Sequence, residues 1–168
     1  DGTVTQYTYD ALDRLTKTDG IALAYDAEGN VIMTTDGTKH FDATYDSGQR
    51  LSGVTYSNVF TVNYSYDSRN LLTQVSDTLT GASVNFSYDD DGRLISMSRS
   101  NSITTIYTWN DAGQLTGLKD GNVSTQQYTF NGVGDIIHAT LSVPNDLASA
   151  LTTETISFTH DDASQLNG

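Results

Sequence analysis

Tyr7-Thr8-Tyr9-Asp10-Ala11-Leu12-Asp13-Arg14-Leu15 is the stretch on which the reading of the fold turns. Tyr7 and Tyr9 are two residues apart, so on a strand their rings share one face. Asp10 ends that strand, because its short carboxylate can accept hydrogen bonds from backbone N–H groups two or three residues on. Asp or Asn at the first turn position with Gly at the fourth is the signature of a type I turn. Glycine, or asparagine as at Asn70, then tolerates the left-handed backbone of a bulge that restores strand pairing. The chain returns through Leu15, whose side chain can pack near the ring it left. One copy of the stretch is one β-hairpin.

The same frame of ring, Asp or Asn, and an aliphatic six residues after the ring recurs along the chain. It reads Tyr9, Asp10, Leu15, then Tyr25, Asp26, Val31, then Tyr45, Asp46, Leu51, then Tyr66, Asp67, Leu72. It continues as Tyr88, Asp89, Gly92, Leu94, then Trp109, Asn110, Gly113, Leu115, then Phe130, Asn131, Gly134, Ile136, and last His160, Asp161, Leu166. A spacing near 21, as between Tyr66, Tyr88, Trp109 and Phe130, holds two strands and two turns and leaves no room for a crossover helix. Asp-Gly pairs at 19–20, 36–37 and 120–121, with Thr80-Gly81, mark the turns at the other end of the hairpins. The expected fold is all-β: residues 1–168 as a single array of eight tandem β-hairpin repeats in a twisted or spiralling antiparallel sheet. A lone hairpin is not stable in water, so the copies must bury one another's rings. The final spacing is longer, and the surplus around Ser142 to Leu151 predicts a loop or short-helix insertion over 140–153.

Composition supports this and excludes much else. Ten Tyr and five Phe supply a large share of the apolar content, and Lys, Glu and Arg are few, which suits short strands and not long helices. Eight basic against 21 acidic residues give a net charge of −13, with no basic stripe for the phosphates of a nucleic acid. The same acidity opposes binding to anionic membrane surfaces, and no apolar run is long enough to insert. With no cysteine, disulfides, thiolate catalysis and Cys-based zinc sites drop out together.

No catalytic or metal-binding set emerges, and the sequence calls for no cofactor. His40, His138 and His160 are far apart, and His160 stands at a ring position, where packing is its first role. Asp89-Asp90-Asp91-Gly92 is the densest acidic turn, but Asp89 and Gly92 belong to the hairpin frame and the rest of a calcium-loop spacing is missing. Asn63, Asn85 and Asn122 head Asn-x-Ser sequons, which arise easily in so Ser- and Asn-rich a chain.

The frame resembles the YD repeat, or Rhs repeat, of Rhs proteins, toxin-complex shell subunits, wall-associated bacterial proteins and teneurins, whose pattern is roughly Tyr-x-Tyr-Asp-x-x-Gly-Arg-Leu. Tyr88-Asp89-Asp90-Asp91-Gly92-Arg93-Leu94 matches its second half in full, and Tyr7 to Leu15 departs only by Asp13 in place of Gly. The resemblance implies a non-enzymatic, secreted or cell-surface wall segment of a shell or scaffold, a fragment of a longer chain. Its partners are then the rest of the parent chain and a toxin domain enclosed by the parent. The alternative is an adhesion module that binds carbohydrate or a cell-surface partner. Pro144 is the one proline and Asp-Pro is absent, so the self-cleaving closing segment of shell-type members is not expected here.

Overall fold

The structure, a computed structural model, describes residues 5–144 and 151–160. The described residues form fifteen strands and no helix. In chain order these are β1 (Tyr7–Tyr9), β2 (Leu15–Thr18), β3 (Ile21–Tyr25), β4 (Val31–Thr35), β5 (His40–Tyr45), β6 (Leu51–Tyr56), β7 (Phe60–Tyr66) and β8 (Leu72–Asp77). They continue as β9 (Ser83–Tyr88), β10 (Leu94–Arg99), β11 (Thr104–Trp109), β12 (Leu115–Asp120), β13 (Ser124–Phe130), β14 (Ile136–Pro144) and β15 (Leu151–Ser157). The chain divides into two compact units, Asp1–Ser83 with β1 to β8 and Val84–Gly168 with β9 to β15. Within each unit every strand pairs antiparallel with the next in sequence.

The sequence dictates this locally. In each of the seven described Asp or Asn turns the fourth residue has positive φ: Asp13, Gly29, Gln49, Asn70, Gly92, Gly113 and Gly134. That left-handed step closes a three-residue loop whose twist matches the flanking strands. Glycine takes it freely, while Asp13 and Gln49 take it at a steric cost that the turn's hydrogen bonds offset. A second irregularity follows. Register slips by one residue just past each aliphatic, so Tyr9 faces Leu15 while Thr8 faces Lys17, and Thr16 is extra. Ile32, Ser52, Thr73, Ile95, Thr116 and Ile137 are the extra residues of the other six hairpins.

Strand alternation then sorts the side chains. In the first unit the registers place Leu23, Tyr25, Phe41, Tyr45, Val54, Tyr56, Val62, Tyr64 and Tyr66 on one face. Thr44, Thr55, Thr61, Asn63 and Ser65 lie on the other. In the second unit Phe86, Tyr88, Tyr107, Trp109, Leu118, Tyr128 and Phe130 share a ring face, opposite a face of Ser98, Thr104, Thr108 and Thr125. Cross-strand hydroxyl pairs line the polar face, such as Thr55 with Thr61 at 2.8 Å and Ser98 with Thr104 at 3.2 Å. Each unit is a single layer. Among the described residues no apolar side chain is buried, and only Gly53, Thr105 and Gly117 fall in the buried class. A sheet normally buries one face against a second layer, and among the described residues neither unit has a second layer of its own over its rings.

The structure differs from the sequence reading on the flanks of 140–153, at residues 140–144 and 151–153. Residues 140–144 prolong β14 and residues 151–153 open β15, with Ser142 facing Thr153 and Val143 facing Thr152. The physical reason is alternation: Ala139, Leu141 and Val143 keep the ring face apolar, and Thr152, Thr153, Thr155 and Ile156 are β-branched. The Ala and Leu residues that favour a helix fall largely within 145–150, which lie outside the described residues. So do Asp161 and Leu166 of the eighth repeat.

Candidate functional site

Among the described residues the Asp and Asn turns carry the most organised polar chemistry. Three of the same four bonds recur in every described copy, and all four in most of them. The first turn residue's N–H donates to the carbonyl four residues on, as Asp10 to Arg14 at 2.9 Å, and the fourth residue's N–H donates back to the first residue's carbonyl, as Asp13 to Asp10 at 3.1 Å. One side-chain oxygen accepts two further backbone bonds, from residues two and four on. Asp10 Oδ1 accepts from the N–H groups of Leu12 and Arg14, Asp46 Oδ1 from Gly48 and Arg50, and Asp67 Oδ1 from Arg69 and Leu71. Asn110 and Asn131 make the same pair of bonds with an uncharged amide oxygen. Replacing Asn110 by Ala removes both acceptors and is expected to cost about 1 kcal/mol, within the 0.5–2 kcal/mol typical of side-chain caps. N110D should be nearly neutral by comparison, and thermal melts of the two variants check this.

The second carboxylate oxygen has a different job. Asp10 Oδ2 accepts from Arg14 Nε at 2.7 Å, and Asp46–Arg50 and Asp89–Arg93 repeat that bond at the same distance. Each arginine so held reaches the next repeat. Arg14 lies over the Tyr25 ring at 4.5 Å, Arg50 over Tyr66 at 4.7 Å and Arg93 over Trp109 at 6.0 Å. Each also donates through Nη1 to the next turn's first carbonyl, that of Asp26, Asp67 or Asn110. The ring answers in the opposite direction. Tyr25 OH donates to the Leu15 carbonyl at 2.7 Å, Tyr45 to Val31 at 3.0 Å, Tyr66 to Leu51 at 3.0 Å, and Trp109 Nε1 to Leu94 at 2.9 Å. Ring, Asp and aliphatic therefore form a latch between hairpins as well as a hairpin frame.

The arginine was the member that sequence reasoning left without a role, although it stands between the turn and the aliphatic in Arg14-Leu15, Arg50-Leu51 and Arg93-Leu94. A second polar group also went unread. On the ring face of the second unit, Asp120 Oδ1 accepts from Arg99 Nη1 at 2.9 Å and from Thr105 Oγ1, and Thr105 is 2% exposed. These bonds, Thr105 first and then Arg99, hold the Asp120 carboxyl below its ordinary value. The three residues sit on three consecutive strands, at spacings that suggest nothing in sequence.

The histidines stay apart. His40 pairs with Asp42 at 3.1 Å, His138 contacts Ser157 at 3.0 Å, and His160 has a buried Nδ1 without a hydrogen-bond partner. In the acidic turn, Arg93 contacts both Asp89 and Asp91. Asn63, Asn85 and Asn122 are all exposed.

The fold is similar to that of several solved structures of one kind. Against the crystal structure of TcdB2-TccC3-TEV the TM-score is 0.70 at 16% identity, over 87% of this chain and 9% of that one. Against TcdB2-TccC3-Cdc42 it is 0.68 at 15% identity, over 87% and 9%. Against TcdB2-TccC3 without its hypervariable C-terminal region it is 0.56 at 15% identity, over 96% and 11%. The chain thus spans about a tenth of the length of these neighbours. No curated protein matches it. The family model described as Teneurin YD-shell matches residues 2–133, which carry the first six turns and the arginine latches, and the chain belongs to that family.

Proposed function

We propose that the chain is a non-enzymatic wall segment of a secreted or cell-surface YD shell, whose parent encloses a separate polypeptide domain. The observation that carries this reading is the single layer. A domain that worked as a self-contained ball would bury its rings. Here Phe41 is 50% exposed and Ile156 58% exposed on the ring faces, and cohesion runs sideways from hairpin to hairpin. That is how a wall is held together, with an apolar side turned to whatever it lines. The acidic balance keeps the surface self-repelling and hydrated.

A second reading, adhesion to a glycan or cell-surface partner, is favoured by one groove in the first unit. Ile21, Thr34, Asp36, Lys39, Phe41 and Tyr56 are among the residues that line it. Phe41 and Tyr56 lie 5.0 Å apart there, in a tilted pair. An exposed ring beside hydrogen-bonding groups is a surface on which a sugar can stack.

The parent protein decides between the two. Its intact mass is measured, and it is challenged with protease when native and again after mild unfolding. A shell predicts a domain that resists digestion in the native protein and is digested once the wall opens. A parent whose every domain outside the repeats is cut at native-like rates from the start would sink the enclosure reading and leave adhesion in the lead.

A further inference from the structure

The latch is not present at every seam. Arginine occupies its position in repeats one, three and five, as Arg14, Arg50 and Arg93, while repeats two and six have Asn30 and Gln114 there. Backbone pairing does not follow this alternation. The seam between repeats two and three pairs β4 with β5 over three register positions, and the latched seam between five and six pairs β10 with β11 over three. The seam between six and seven pairs β12 with β13 over four, and the latched seam between three and four pairs β6 with β7 over four.

The side chains differ instead. At the two–three seam, Asn30 Nδ2 donates to Asp26 Oδ2 within its own turn and, across the seam, to the Gln49 side chain, while Tyr45 returns its bond to the Val31 carbonyl as in a latched seam. At the six–seven seam Gln114 Nε2 reaches the Gly134 carbonyl, and Phe130 has no hydroxyl to return a bond. A charge-assisted hydrogen bond and a cation–π contact are therefore missing at both.

We propose that the array opens in modules of two repeats, one with two, three with four and five with six, parting first at the arginine-free seams. Within each unit this makes the sheet a set of latched pairs bounded by weaker seams, two–three in the first unit and six–seven in the second. Local opening in a repeat array follows nearest-neighbour terms, so a missing side-chain latch is felt at its own seam. The Arg99–Asp120 pair, which crosses from β10 to β12 over β11, works in the same direction by further securing repeats five and six.

Residue-resolved amide hydrogen exchange on the whole chain tests this. Amides bonded across β4–β5 should exchange about tenfold faster than those across β6–β7, and also faster than those across β2–β3, although β2–β3 lies nearer the chain end. N30R supplies the one missing latch member, so it should slow the β4–β5 amides to within about twofold of the β6–β7 amides. R50Q should do the converse and speed the β6–β7 amides. Equal rates at latched and unlatched seams overturn the proposal. So does a folded N30R that leaves the β4–β5 rates unchanged. If N30R does not fold, R50Q decides alone, and unchanged β6–β7 rates in that variant overturn it as well.

Discussion

On acidification the protein should lose its β-sheet signal as pH falls through and below 3.8, and replacing the capping aspartates by asparagine should flatten that loss. The cause is the row of turns. Asp10 is held below the ordinary carboxylate value of 3.8 chiefly by the backbone bond from Arg14, Asp26 by the Asn30 side chain, Asp46 by the Arg50 side chain and Asp67 by the Leu71 N–H. For Asp89, desolvation works against ionisation, and the bonds from Arg93 outweigh it. All these folded-state values lie below the unfolded ones. Their stabilisation is therefore complete above 3.8, and it drains away below that pH, where the unfolded chain binds protons that the folded chain refuses. Protonation also relieves the repulsion of a net −13 charge, which acts in the opposite sense. The variant D10N/D26N/D46N/D67N separates the two effects, because Asn110 and Asn131 already hold the same backbone bonds without a titrating group. Circular dichroism against pH, at several denaturant concentrations, gives the slope of stability with pH. A slope identical in the parent and the asparagine variant would rule out the caps as its origin.

The hairpin frame was legible because each of its parts is local. A ring, an Asp or Asn and an aliphatic within seven residues determine a turn whose bonds span at most four positions, and turn chemistry of that range is written in adjacent residues. The left-handed fourth position was legible where Gly or Asn occupies it. At Asp13 and Gln49 the frame, not the residue, forces positive φ. The latch was less legible, since Arg14 finds the Asp26 carbonyl 12 residues on and Arg50 finds that of Asp67 17 residues on. Such reach depends on how one hairpin registers against the next, and repeat spacing alone does not give register. The Arg99–Asp120–Thr105 group was hidden for the same reason. On the flanks of 140–153 the β-branched residues are strand, because β14 pairs with β13 on one side and with β15 on the other, pairing that the repeat spacing did not announce. The uncovered ring face could not be read at all, because alternation reports which side chains share a face and not what lies over it.

Trp109→Ala should be the most damaging single truncation in the second unit, lowering stability by about 2–3 kcal/mol, below the 3–5 kcal/mol of a fully buried ring because this ring is half-buried. Three interactions go at once. The ring faces Leu115 across the hairpin, it carries the Arg93 guanidinium, and its Nε1 donates to the Leu94 carbonyl of the preceding repeat. Trp109→Phe keeps a ring for Leu115 and Arg93 but leaves that carbonyl without its donor, a loss of about 1 kcal/mol. Trp109→Tyr should cost least, because Tyr25, Tyr45 and Tyr66 place a hydroxyl on the equivalent carbonyl of the repeat before them. Unfolding must be followed by circular dichroism, since Trp109 is the chain's one tryptophan and its fluorescence leaves with it. If the order is Tyr, Phe, Ala, the ring position works as a two-way latch, with packing and a directed hydrogen bond both counting. If Phe and Tyr are indistinguishable, the bond to the preceding carbonyl contributes nothing net, and the ring holds the seam by contact alone.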